Sequence, residues 1–337
     1  MSRTVEQDSR AAMSDACVRK ATWPGAANRL RGESIPAVLR QYLPFDWAIS
    51  VYVMVIGAAV AVWGGAVTNR WKIVVLHLAL LMAVFAVVRY FSAARSRAAC
   101  FIRLLYLPLA ITFFYEEMGL LLRLFHSGWF DQQIIALERS ILGVSPTLWI
   151  QPWQKPLVNE WMMLGYFSYY PIVGAPLLIL FFKRRDHEVA QLVWAMSLAF
   201  FISYLGFIIY PVQGPRFELA GLYERELTGY LFVPLVNVIM KTAAIHGGCM
   251  PSSHVAVTVV CLVYALKYER RLGMVCFPLV ATLFLGTVAG RFHYLSDVAA
   301  GVLVGVFALG VAARYPVKGW MVVPGSQKAR PLSVKRI

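Results

Sequence analysis

Three short segments of the chain supply, when taken together, histidine, aspartate, arginine and serine. These residue types commonly handle phosphate groups. They span residues 210–216, 247–254 and 287–297. Between them they supply two histidines, one carboxylate, two arginines and a sequence that can open a helix. Such a set can transfer a phosphoryl group through a histidine without a metal ion.

Segment 247–254 has the features of a helix start. Pro251 suits the first turn of a helix, and Ser252 and Ser253 provide hydroxyl groups at that point. A helix N-terminus has unpaired N–H groups and the positive end of the helix dipole, so it attracts anions. We therefore expect Ser252 and Ser253 to contact a phosphate. We expect the same of Gly214, which lies in the preceding polar segment, residues 210–216.

His293 and Asp297 lie four residues apart, which places them on one face if the segment is helical. A carboxylate in that position keeps one imidazole nitrogen protonated and leaves the other nitrogen free to attack phosphorus. His254 then remains for proton transfer. Arg216 and Arg291 can each contact a phosphate through two N–H groups.

The second and third segments together resemble the signatures of the type 2 phosphatidic acid phosphatase superfamily, P-S-x-H and a later H-x-x-x-D. Here they read Pro251-Ser252-Ser253-His254 and His293-Tyr294-Leu295-Ser296-Asp297, followed by Gly301. The resemblance covers residues 100–315. It implies that His293 is a nucleophile that forms a phosphohistidine, that Asp297 orients it, and that His254 protonates the leaving oxygen.

Two signatures differ from the lipid phosphatase branch of that superfamily. If Arg216 is the arginine of its K-x6-R-P motif, Ile209 stands in place of the lysine and Phe217 in place of the proline. Thr287 stands where that branch has an arginine, six residues before the histidine. The chain is instead similar to the branch of fungal inositol phosphorylceramide synthase and its bacterial relatives, which shares this threonine.

Other positions add to the similarity with this second branch: Phe130, Asp131, Leu137, Glu138, Gly143, Pro146, Thr147, Glu160, Tyr166, Tyr169 and Tyr170. The branch implies transfer of a phosphate-containing group between lipids or to an alcohol. Because two phosphate ligands of the phosphatase branch are missing, we expect Arg291 to replace one of them.

The composition indicates that helices in a membrane hold these segments. Hydrophobic residues make up 59% of the 337 residues and charged residues 15%, against about 45–50% and about 25% in soluble domains. Segments apolar over the roughly 20 residues that a span needs are 47–67, 72–91, 101–122, 161–182, 190–211, 252–267, 272–290 and 294–314. They lack the alternation of a membrane β-barrel. We predict an all-α integral membrane protein of about eight spans with a six-helix phosphatase-like core.

The spans also define the predicted regions of the chain. A basic tail occupies residues 1–46 and two N-terminal spans occupy residues 47–99. The phosphatase-like core occupies residues 100–315, and a second basic tail occupies residues 316–337.

Two apolar segments are not predicted to cross the membrane. Residues 131–153 read as an amphipathic stretch at the membrane interface. Residues 229–246 contain Pro234 and Lys241, and a span there would separate Arg216 from His254 across the membrane. We predict an interfacial or re-entrant helix in that region.

The basic residues are distributed unequally between the two sides of the predicted bundle. The tails and the loops on their side hold 22 lysines and arginines, and the opposite loops hold about eight. By the positive-inside rule, both termini are expected in the cytoplasm. The three polar segments then face the periplasm, the extracellular space or a lumen. The same distribution explains the net charge of +15 without a nucleic-acid partner.

Other functions remain open for several of these residues. Two histidines and a carboxylate also suit iron or zinc, although the nearby arginines argue against a cation and we expect neither metal nor cofactor. Arg216 and Arg291 can instead be lipid headgroup or interface contacts. Glu116 and Glu117 can pair with Arg123 or another basic residue. Alternatively they line a headgroup cavity, as Glu160 and Tyr170 also can.

The sequence thus favours a metal-independent lipid phosphotransferase whose partners are the membrane and a lipid phosphate, with water or an alcohol as acceptor. An alternative within the class is a phosphatase of polyprenyl diphosphate or phosphatidic acid. A non-catalytic lipid-binding or transport protein is the alternative outside it. No internal repeat supports a transporter, and the sequence does not indicate an oligomeric state.

Overall fold

The computed structural model describes residues 35–92 and 96–318, and this part of the chain is helical with no strand. Most of the two predicted basic tails, residues 1–34 and 319–337, lies outside the described residues. The first half contains α1 (Ile35–Leu39), α2 (Pro44–Trp63), α3 (Arg70–Phe91), α4 (Arg97–Leu121), α5 (Asp131–Leu142), α6 (Pro146–Trp149) and α7 (Pro156–Phe167). The second half contains α8 (Tyr169–Phe182), α9 (Asp186–Ile209), α10 (Pro215–Glu218), α11 (Phe232–Thr242), α12 (Ser253–Tyr268), α13 (Arg270–Ala289) and α14 (Leu295–Arg314). Helix α1 belongs to a compact unit that ends at Gln41, and the other helices belong to a second unit that begins at Tyr42.

Seven helices of the described chain are long and apolar enough to cross a membrane: α2, α3, α4, α7 with α8, α9, α13 and α14. The predicted all-α membrane fold is therefore confirmed. The segment predicted as the sixth span forms α12, which has only 16 residues, fewer than the roughly 20 that a full span needs. Helix α11 has 11 residues and rises about 16 Å, which is too short for a full span, and its interfacial or re-entrant position stays a prediction.

Helix α9 is the centre of the bundle. It packs against α2, α4, α12 and α14, and 72% of its most apolar stretch is buried. Its buried hydroxyls do not require external partners, because Ser197 and Ser203 each donate to the carbonyl one turn earlier. A helix buried on all sides can be apolar all round, which explains why its sequence shows no polar face.

Helices α12 and α14 approach closely, and this approach brings two of the polar segments together. A Cβ added to Gly301 would lie 2.6 Å from the carbonyl oxygen of Ser252, and one added to Gly305 would lie 2.6 Å from that of Ala256. The backbone N–H of Ser252 donates to the carbonyl of Asp297 at 3.0 Å. The two helices therefore begin side by side.

The start of each of these helices is fixed by a side chain. The hydroxyl of Ser252 accepts from the N–H of Val255 at the start of α12. At the start of α14, the Asp297 carboxylate accepts the N–H of Tyr294 at 2.9 Å. Such caps satisfy N–H groups that have no partner within the helix. They also fix the positions of the residues that flank them.

Candidate active site

His293 lies between Asp297 and Ser252. Its Nδ1 is 3.4 Å from the Asp297 carboxylate, and its Nε2 is 3.1 Å from the Ser252 hydroxyl oxygen. All three side chains are buried. His293 precedes α14, whereas Asp297 is in its first turn, so the expectation of a shared helical face is wrong. The pair is brought together across the helix cap.

The loop before α14 is held by Thr287. Its carbonyl accepts the N–H groups of Phe292 at 3.0 Å and His293 at 3.1 Å. Its buried hydroxyl donates to the carbonyl of Phe284. Thr287 therefore positions the backbone of His293, and its side chain is engaged within α13.

His254, in the first turn of α12, is the second histidine of the group. Its ring centroid is 6.0 Å from that of His293. Its Nε2 is 3.5 Å from the hydroxyl of Tyr166, and its ring contacts that of Tyr169 with centroids 4.5 Å apart. The two histidines are near enough for one phosphoryl group to contact both.

A small cavity of about 50 Å³ lies at the two histidines. His254, His293, Ser253 and Arg216 are among the residues that line it. Among the described residues, the Arg216 guanidinium has no hydrogen-bond or ion-pair partner, so it is the available positive charge of the cavity. The structure thus brings Arg216 and Ser253 to the histidines, as the sequence predicted. Ser252 is near His293 but does not line the cavity, although the sequence predicted that it contacts a phosphate.

Arg291 is not part of this group. Its backbone has φ of 65°, in the left-handed region, and its guanidinium lies 3.8 Å from the ring centroid of Tyr223. It donates to the side chain of Gln154 at 3.1 Å and to the carbonyl of Arg225 at 2.7 Å. Burial lowers the pKa of Arg291. The expectation that it lines the phosphate site is corrected, because these contacts turn it toward a neighbouring loop.

Gly214 does not line the cavity either. Its N–H donates to the Asp131 carboxylate at 2.9 Å and so has a protein partner. Its φ of 98° and a distance of 2.7 Å from an added Cβ to the sulfur of Cys249 make glycine necessary here. The predicted phosphate contact is therefore replaced by a structural one.

Asp131 ties together two of the polar segments. Besides the N–H of Gly214, its carboxylate accepts the N–H of Gln213 and the hydroxyl of Tyr294, each at 2.9 Å. Burial raises the pKa of Asp131, and these three donors oppose the rise. The resemblance to the synthase branch includes Asp131 but predicts no contact for it.

Glu138 lies two turns along α5 from Asp131 and contacts α14. Its Oε1 accepts from the N–H of Ser296 at 2.9 Å and from the Ser296 hydroxyl at 3.1 Å. Burial raises the pKa of Glu138 as well. The spacing of seven residues was the available signal, because it places both carboxylates on one helix face.

A larger cavity of about 260 Å³ adjoins the small one, and both are lined by Ser253, His254 and Tyr166. Glu116 and Tyr170 line this larger cavity, in agreement with the expectation that they line a cavity. Five of the residues that line it are tyrosines.

The two other predicted cavity residues have different partners. Glu117 is buried with His77, whose Nδ1 is 3.6 Å from its carboxylate, so its neighbour is neither Arg123 nor the cavity. Glu160 accepts four backbone N–H groups at 2.6–3.1 Å, from residues 230–233. It therefore caps the start of α11. Both expectations of a headgroup or cavity position are corrected.

One group of potential metal ligands in the described chain consists of Cys249, His293 and Asp297, whose ligand atoms lie within 4.8 Å of one another. Burial raises the pKa of the Cys249 thiol well above its usual range. The thiolate is the form that binds metals, so this environment disfavours Cys249 as a ligand.

Comparisons with known proteins give a family but no individual relative. No curated protein and no solved structure matches the chain. The family model described as PAP2 superfamily matches residues 132–311, which is more than half of the chain. The matched region includes both histidines and runs from α5 to α14. The chain therefore belongs to the PAP2 superfamily, whose members are phosphatases or phosphotransferases.

Proposed function

We propose that the protein transfers a phosphate-containing group from a lipid phosphate to an alcohol or water through a phosphohistidine on His293. The observation that carries this proposal is the grouping of His293, His254 and Arg216 around one small cavity. Family membership supports the reaction class. The catalytic core corresponds to residues 100–315.

In the first step, the Nε2 lone pair of His293 attacks phosphorus and the bond from phosphorus to the leaving oxygen breaks. His254 donates a proton to that oxygen, so that a neutral alcohol leaves. Asp297 stabilises the positive charge that develops on the imidazole. Arg216 and the N–H groups at the start of α12 stabilise the charge on the phosphoryl oxygens.

In the second step, an acceptor hydroxyl occupies the position of the leaving group. His254 removes its proton, the acceptor oxygen attacks phosphorus, and the bond to His293 breaks. The scheme uses no metal, and we expect activity to persist in the presence of chelators.

An alcohol acceptor is supported by two features. The cavity of about 260 Å³ beside His254 can hold a group larger than water. Thr287 resembles the inositol phosphorylceramide synthase branch, and Ile209 stands where the phosphatase branch has a lysine. Hydrolysis of polyprenyl diphosphate or phosphatidic acid is the alternative reaction within the class.

The nucleophile is tested by trapping the phosphoenzyme from a labelled lipid phosphate donor in acid-quenched samples. His293→Ala should remove the trapped species and turnover, whereas His187→Ala, at the start of α9, should retain both. His254→Ala should slow formation by about 10²–10⁴ with an alcohol leaving group. A nitrophenolate leaving group should partly rescue it because it needs little protonation. Normal phosphoenzyme formation in His293→Ala would refute the proposal.

A further inference from the structure

The two cavities that meet at His254 contain opposite charges. Arg216 lines the smaller one and Glu116 lines the larger one. Glu116 is the single charged residue that lines the larger cavity, and among the described residues neither charge has a hydrogen-bond or ion-pair partner. Unpaired charges at a site indicate the charge of what binds there. The arrangement matches a ligand with an anionic phosphate at one end and a cation at the other.

The wall of the larger cavity combines Glu116 with several aromatic rings and with aliphatic side chains. Five of the residues that line it are tyrosines: Tyr115, Tyr166, Tyr169, Tyr170 and Tyr204. The rings of Tyr169 and Tyr170 stand nearly edge to face, with centroids 5.4 Å apart and an interplanar angle of 74°. Aromatic faces combined with a carboxylate are a recognition pattern for ammonium groups.

Most hydroxyls of this wall already have protein partners, which argues against a polyol ligand. Tyr204 donates to the carbonyl of Ile111, and the Tyr115 hydroxyl accepts the N–H of Ile245. Tyr166 contacts His254. The cavity thus offers ring faces and one carboxylate more than it offers free hydroxyls.

We propose that the larger cavity binds the leaving or accepting alcohol of the reaction, and that this alcohol carries an ammonium or trimethylammonium group. The inference rests on the proposed function, because that function places the leaving and accepting oxygen beside His254. The volume of about 260 Å³ lies below the roughly 300–1,000 Å³ of pockets for drug-sized ligands, so a small amino alcohol fits better than a whole lipid. Binding of this alcohol adds no bond changes to the two steps of the proposed reaction.

The test compares choline with 3,3-dimethylbutan-1-ol, an alcohol of the same shape in which carbon replaces the charged nitrogen. With a lipid phosphate donor that the protein turns over, transfer to choline should exceed transfer to the neutral alcohol at least about tenfold. Glu116→Gln should reduce this ratio to near one, and Glu224→Gln, an exposed acid outside both cavities, should retain it. Tyr170→Phe should retain the ratio and Tyr170→Leu should lower it, because only the ring face is required.

The outcomes separate this inference from the proposed function. Turnover with no preference for choline, or an unchanged ratio in Glu116→Gln, would overturn the inference and leave the phosphotransfer proposal standing. If no lipid phosphate were turned over, the proposed function would fail, and binding would still test the cavity. In that measurement, choline should raise the thermal midpoint of the purified parent protein but not of Glu116→Gln. Equal shifts with the neutral alcohol would also overturn the inference.

Discussion

The hydroxyl oxygen of Ser252 lies 3.1 Å from Nε2 of His293, the ring nitrogen that is not turned toward Asp297. The same hydroxyl accepts the N–H of Val255 at the start of α12. One side chain thus contacts the proposed nucleophile and caps the helix that carries His254. The position of the attacking nitrogen and the start of α12 are therefore coupled.

Ser252→Ala should affect stability and catalysis together. Loss of the cap should cost about 0.5–2 kcal/mol of unfolding free energy. Loss of the contact to His293 should slow phosphoenzyme formation at least about tenfold, since a single preorganised hydrogen bond contributes about that much or more. Thermal unfolding and quenched-flow trapping in one detergent measure the two effects separately.

The matched control is Ser203→Ala, which removes a buried serine hydroxyl that donates only to the carbonyl of Ala199 within α9. It should leave the rate of phosphoenzyme formation close to that of the parent protein. If Ser252→Ala lost stability but formed phosphoenzyme at the parent rate, Ser252 would be a helix cap alone.

Asp131→Asn should destabilise the site more than Glu138→Gln. The Asp131 carboxylate accepts from three donors through both oxygens, so an amide turns N–H groups toward at least one of them. An unsatisfied buried donor costs about 1–3 kcal/mol. Glu138 accepts through Oε1 alone, and its Oε2 has no partner.

Glu138→Gln is therefore the control for Asp131→Asn, because its amide oxygen can keep both contacts to Ser296 and its N–H groups need not face another donor. Thermal midpoints and kcat should fall in the aspartate variant and change much less in the glutamate variant. Equal losses of thermal midpoint and kcat in both variants would contradict this prediction. They would show that the negative charge on this face of α5 stabilises the site, and not the hydrogen bonds that Asp131 accepts.

The membrane spans could be predicted from the sequence because the signal is local. A run of about 20 apolar residues identifies a helix without knowledge of its neighbours. The boundaries follow nearby residues in the same way: Ser252 opens α12 within the segment that the sequence assigned to a helix start. In the structure, the two motif histidines meet in one site because α12 and α14, at whose starts they lie, begin side by side.

The direction of individual polar side chains could not be predicted, since it depends on distant partners. Glu160 caps α11 through N–H groups about 70 residues further along the chain. Glu117 lies beside His77, which belongs to a different helix. The direction of the Arg291 side chain depends on its own backbone conformation and on its contact with the ring of Tyr223. None of these contacts leaves a periodic pattern in the sequence.

The orientation in the membrane is predicted by charge and can be tested by cysteine labelling in intact cells. Arg225→Cys, in the loop after α10, should react with a membrane-impermeant maleimide. Arg271→Cys, in the first turn of α13, should react only after permeabilisation. Both positions are exposed, and the four cysteines in the described part of the chain are buried. Labelling in the opposite pattern would place the two histidines on the cytoplasmic side.

The two arginines predicted as a phosphate clamp should behave differently, because only Arg216 lines the small cavity. Arg216→Ala should lower kcat/KM by about 10²–10³, which corresponds to the loss of one preorganised donor of about 2.7–4 kcal/mol in the transition state. Arg216→Lys should recover part of this loss, since an ammonium group keeps the charge without the planar fork. Orthovanadate mimics pentacoordinate phosphorus and should bind Arg216→Ala more weakly than the parent protein.

Arg291→Ala should instead act through the loop that its side chain holds. It removes the contact to the Tyr223 ring and the hydrogen bonds to Gln154 and the Arg225 carbonyl, so we expect a lower thermal midpoint and a vanadate affinity close to that of the parent. Arg225→Ala keeps that carbonyl and should be near neutral in both measurements. Equal loss of vanadate affinity in Arg216→Ala and Arg291→Ala would mean that Arg291 turns into the cavity when an anion binds. If neither variant lost affinity, the cradle would consist of the α12 N–H groups and Ser253 alone.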